Sequence, residues 1–155
     1  SKTNITIILD NDYHLRVYSP SGRLLEKSDE YYGHDPRPMD LGVKNDLIET
    51  RQRELFYQKG RLQLVLRGEK KYIFVPKNFR LGGNVLSKAI YVNDCSLEVL
   101  LVNEEGLERI GELKKQRGYI AAYQLDGNMI YMAAVQKDNL TGKVFSTLYL
   151  YKWND

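Results

Sequence analysis

Asp126 and Gly127, in the stretch YQLDGNMIYMAAVQKD, most strongly invite a chemical reading. Leu-Asp-Gly commonly opens a calcium loop, and calcium takes about six to eight oxygen ligands. Here Asn128, Met129 and Ile130 follow at once, and one carboxylate cannot hold the ion. Asp-Gly is equally the signal of a type I′ hairpin corner, and that reading is preferred. Asp10 and Asp12 in LDNDYH are the other carboxylate pair, again at a turn and with no third acid close by. No metal ligand and no cofactor is assigned.

His34 stands beside Asp35 in YYGHDPRP, with Tyr31, Tyr32 and Arg37 close in sequence. A His-Asp pair is general acid–base equipment. However, no G-x-S-x-G element or spaced pair of acids accompanies it. These five residues, together with Arg80, are therefore read as a candidate interaction surface, and no catalytic residue is assigned. The single Cys95 excludes an intrachain disulfide and a cysteine zinc site. In NDCS it would be reactive if exposed and an inert small residue if buried. LGGN (81–84) lacks the Lys-Ser/Thr of a phosphate loop. Basic groups such as Arg61, Arg67, Lys70 and Lys71, set among tyrosines, suggest RNA binding. Acids interleave with them and the formal net charge is only +3, so solvated mixed-charge faces are expected instead.

The elements that must position these residues read as strands. The 155 residues suffice for one domain with a core. Twelve Tyr, four Phe and one Trp against four Pro suit β-structure. No run of apolar residues is long enough to span a membrane. No signal peptide is read at Ser1–Leu9, and SKTN reads as a cut or processed start. ITIILD, HLRVYS and LLEKS form a meander with turns at 10–13 and 20–23. The Pro, Gly and Asp content of 29–46 predicts an exposed loop outside regular structure. A short helix or a strand could follow in 47–58, with a strand at 54–58 preferred. RLQLVLR and KYIFVPK make a hairpin ended by Pro76. AIYVN and LEVLLVN pair around DCS. In EVLLVNEEGLERIGELKKQ, Gly106 and Gly111 weigh against a helix, and two strands joined by a short Gly turn are preferred. GYIAAYQL, NMIYMAAVQ and VFSTLYLYKW complete eleven or twelve strands.

These strands fall into antiparallel groups of about four, at 1–58, 59–104 and 105–155. The expected architecture is all-β, a β-propeller or a fragment of one, with a β-sandwich or barrel as the rival. LDNDYHLRVYSPSGRLLEKSDEYYG resembles a segment of bacterial FG-GAP/VCBS-like β-propeller proteins. RLQLVLRGEKKYIFVPKN and GYIAAYQLDGNMIYMAAVQKD resemble two further units of that family, in which a DxDxDG calcium loop joins two strands. Here LRGEKKY carries lysines where carboxylates would sit, so the resemblance implies degenerate repeats that have lost calcium.

The resemblance also implies a non-catalytic module that binds protein or carbohydrate, favoured in the periplasm or cell envelope. The alternatives are an enzyme working through His34 and Asp35, or a nucleic-acid-binding β-domain. About three blades would leave flanks uncovered, so self-association is expected.

Overall fold

The computed structural model describes residues 5–32, 34–43, 53–59, 61–80, 92–137 and 141–154. Among them the chain is all-β, with thirteen strands and no helix, so no helix is long and apolar enough to cross a membrane. β1 (Thr6–Leu9), β2 (Leu15–Tyr18) and β3 (Leu24–Lys27) form an antiparallel meander, the N-terminal sheet. β4 (His34–Val43) pairs with β5 (Arg53–Lys59) in a separate two-stranded ribbon. The middle sheet holds β6 (Gln63–Arg67), β7 (Lys70–Arg80), β8 (Val92–Val102), β9 (Leu107–Glu112) and β10 (Gln116–Arg117). β6, β7 and β8 lie side by side, and β9 and β10 share the far edge of β8. β11 (Tyr119–Asp126), β12 (Met129–Lys137) and β13 (Val144–Lys152) form the C-terminal sheet.

Alternation along β7 and β8 explains how the sheets stack. Tyr72, Phe74, Cys95, Leu97 and Val99 project to one face and bury Ile120, Ile130, Met132 and Ala134 of the C-terminal sheet. Ile73, Val75 and Leu100 project to the other and bury Leu15 and Tyr32, with Ile7 and Leu9 packed alongside. The middle sheet is thus covered on both faces, and its strands read as nearly unbroken apolar runs, as doubly buried strands do. Trp153 seals one end of the first core, set edge-on to Tyr72 (4.8 Å between centroids) and Phe74 (5.2 Å).

Several sequence expectations are corrected. The exposed loop expected over 29–46 is strand β4 from His34 to Val43, with Tyr32 buried ahead of it. Pro36 and Pro38 are tolerated because a two-stranded ribbon leaves half its backbone groups unpaired, and the register slips between His34 and Pro38. Pro76 does not end β7 either. The Asn78 N–H donates to the Tyr32 carbonyl (3.2 Å), away from β8, so the missing N–H of Pro76, two residues earlier, falls on that same side. β6 reaches along β7 only as far as Phe74, so no ladder bond is lost there.

The hairpin expected around DCS is uninterrupted strand. Asp94, Cys95 and Ser96 pair with Phe79, Asn78 and Lys77 in register. A unit boundary at 104/105 falls in the turn between β8 and β9, two strands of one sheet. The Asp126 corner is a hairpin with Asp126 opposite Met129, which leaves Gly127 and Asn128 at the turn. Only Gly127 has positive φ (+55°), the pattern of type II′ rather than I′. The strand at 54–58 is present within β5. The helix weighed from 47 and the loop and strand from 81 to 91 lie outside the described residues.

Candidate interaction site

The segment leaving β3 carries the N-terminal sheet across to the middle sheet, and three of its residues build the site. Upstream, Asp10 organises the turn before β2. Its Oδ1 accepts the N–H groups of Asp12 and His14, each at 2.9 Å, and its Oδ2 accepts Arg16 Nε at 2.6 Å. Burial would raise its pKa, but the His14 N–H, the Arg16 guanidinium and the Asp12 N–H together hold it below the usual carboxylate value. Those hydrogen bonds account for the Asp10–Asp12 pair as a turn device. The turn brings Tyr13 into the left-handed region (φ +62°) and swings its ring to 5.4 Å from Tyr31, edge to face. The His14 ring lies 6.3 Å from Tyr31, and its Nδ1 donates to the Ser28 carbonyl at 2.9 Å. Tyr13, His14 and Tyr31 form a half-buried aromatic cluster at the surface.

Tyr32, one residue on, points inward. It is 2% exposed and packs on Ile73, Val75 and Leu100. Beneath it lies a buried charge network on the same face of the middle sheet. Glu98, 1% exposed, stands opposite Glu112 in register, and two like charges there would repel. Arg109 bridges them, with Nε 2.6 Å from Glu98 Oε1 and Nη2 on Glu112, which also accepts the Ser96 hydroxyl. The Arg109 contact lies off hydrogen-bond geometry, so Glu98 is held by charge more than by directed hydrogen bonds.

The Lys77 ammonium, also buried, reaches Glu98 at 3.6 Å and Glu30 at 3.0 Å. Glu30 thereby ties the β3 exit to the middle sheet, and the Lys77 hydrogen bond lowers its pKa. Burial first, and then the Glu98 charge, push the Tyr32 hydroxyl far above its usual range. A phenol that stays protonated is poor acid–base equipment. The network works as a latch between sheets.

Tyr31 and Tyr32 are thus split between the surface and the core, so Tyr32 is no part of an exposed surface. The backbones of His34, Asp35 and Arg37 lie on β4, with His34 opposite Lys59. Arg80 ends β7 opposite Val92. Tyr32 and Arg80 come to the same end of β7 through the bond from the Asn78 N–H to the Tyr32 carbonyl. Cys95 is fully buried and its thiol is pushed up to about 12 by desolvation, which makes it an inert core residue.

No protein-family model, curated protein or solved structure matches the chain. Sequence reasoning missed Lys77, Glu98 and Arg109. The signal was available: Lys77 and Glu98 adjoin or interrupt the apolar runs of β7 and β8, and a charge buried in such a place must find a partner. Among the described residues no group of three or more His, Cys, Asp or Glu could hold a metal ion.

Proposed function

We propose that this chain is a blade-bearing part of a β-propeller-type module that binds a protein or carbohydrate partner without catalysis. The supporting observation is the stacking of three antiparallel meanders face to face in chain order, the central one with both faces covered. Blades pack in that way, whereas a sandwich has two layers. The aromatic cluster of Tyr13, His14 and Tyr31 is the proposed contact point, because flat amphipathic rings offer contact area at low entropic cost. The resemblance to envelope-associated propeller repeats favours a glycan or an envelope protein as partner.

Binding of the chain to an array of bacterial glycans and to purified envelope proteins, side by side with Tyr31→Ala, tests the reading. A partner whose affinity falls at least about tenfold in Tyr31→Ala, the loss of one good aromatic contact, supports it. A turnover reaction that His34→Ala abolishes without lowering the melting temperature would contradict it.

A further inference from the structure

The edges of the described sheets are not alike. β1 and β3 are four residues long, and β6 is five. β9 carries Glu108, Arg109 and Glu112, and the register slips where it meets β8. β11 has a slip between Ile120 and Ala122. β4 contains two prolines, and β5 carries Arg53, Glu54 and Lys59. Short strands, charges, prolines and bulges are the devices that stop an edge from recruiting another strand. β13 has none of them before its last residue. Its nine residues, VFSTLYLYK, pair with β12 in one unbroken register and hold a single charge, Lys152, at the last position.

The backbone direction of β13 follows from one bond. The Trp153 N–H donates to the Asn128 carbonyl at 2.8 Å, which continues the ladder with β12. Odd-numbered residues of β13 therefore turn their N–H and C=O toward β12. Val144, Ser146, Leu148, Leu150 and Lys152 turn theirs outward. Val144, Leu148 and Leu150 are also 64%, 60% and 56% exposed.

The geometry points to β13 as a homodimer edge: two copies of this chain join β13 to β13, antiparallel, into one six-stranded sheet. Outward-facing groups must meet outward-facing groups, so even residues pair with even residues. The register that uses all nine residues sets Leu148 against Leu148 on the two-fold axis. Ser146 then faces Leu150, and Val144 faces Lys152. On the other face Phe145 meets Tyr151 and Thr147 meets Tyr149, which are favourable cross-strand pairs.

Charge selects this arrangement. The two Lys152 lie eight residues apart along the joint ladder, about 27 Å at the usual strand rise. That distance exceeds the screening length at physiological salt. Parallel pairing would set them side by side. This inference stands on edge geometry and holds whether or not the three sheets are propeller blades.

The test is the mass in solution across a dilution series, with two variants. The wild-type chain is expected at twice 18.0 kDa when concentrated and at 18.0 kDa when dilute. Leu148→Cys is expected to form a disulfide-linked dimer under mild oxidation, with the buried Cys95 taking no part. Ser146→Pro removes an outward N–H that β12 does not use, and it is expected to abolish the dimer. A wild-type chain that stays monomeric at every concentration overturns the inference. So does a dimer that Ser146→Pro leaves intact, or one that Leu148→Cys fails to link. If Ser146→Pro does not fold, the Leu148→Cys result decides.

Discussion

The middle and C-terminal sheets are built from the same kinds of residue and end in different conditions. Both are antiparallel, and each contains one hairpin with a two-residue turn and Gly at its first corner, Gly68 in one and Gly127 in the other. The middle sheet has a neighbour on each face, and β8 has strands on both of its edges. The C-terminal sheet buries Ile130, Met132 and Ala134 on one face and leaves Val144, Leu148 and Leu150 in solvent on the other. Apolar alternation therefore records which sheet faces can be covered. Whether they are covered depends on what is stacked beside them.

Substitutions should divide along that line. Phe74→Ala, at a position with no exposed surface, should cost about 4 kcal/mol in urea unfolding, a large-to-small change in a filled core. Glu98→Ala should cost about 3 kcal/mol, because it leaves the buried Lys77 with Glu30 alone and Arg109 with Glu112 alone; Glu98→Gln should cost less. Gly118→Ala acts at the step between the two sheets. Gly118 has φ +96°, and an added Cβ would lie 2.2 Å from the Val135 carbonyl oxygen. A loss of about 2 kcal/mol is expected from the strain, read by the same method.

A smaller effect appears in alkali. The Cys95 thiol has a pKa raised from 9.0 to about 12, so its contribution is complete below pH 9 and is lost as pH rises toward 12. Urea midpoints should fall over that range, and fall less steeply in Cys95→Ala. The smallest effect is at the open face: Leu150→Ser should change the stability of the dilute chain by no more than about 0.5 kcal/mol. A loss as large as that of Phe74→Ala would mean that the face is covered.

The all-β class was legible in the alternation of RLQLVLR and in the turn residues of PSGR and LDG. The extent of β7 and β8 was not. Pro76 and the polar triplet Asp94-Cys95-Ser96 carry local signals for breaks, and tertiary structure overrides both. Pro76 sits where β7 has no β6 neighbour, and Ser96 spends its polarity on Glu112. β4 was hidden by its prolines for a related reason: a two-stranded ribbon tolerates what a central strand does not. Of the candidate site, Tyr31 could be found in sequence, whereas its partners Tyr13 and His14 depend on a left-handed residue in the Asp10 turn that no local motif announces. The Lys77–Glu98–Arg109 network needs three strands in register, which a linear reading does not supply.

Residue-resolved hydrogen exchange on the dilute chain measures the contrast between the two sheets directly. Amides of Tyr72–Val75 and Leu97–Val99 are expected to exchange only through global unfolding. Along β13 exchange is expected to alternate: Phe145, Thr147, Tyr149 and Tyr151 slow, with Ser146, Leu148 and Leu150 fast, and the fast set slowing as concentration rises. Uniform protection along β13 in the dilute monomer, or fast exchange across β7 and β8, would contradict a doubly covered middle sheet beside an open-edged one.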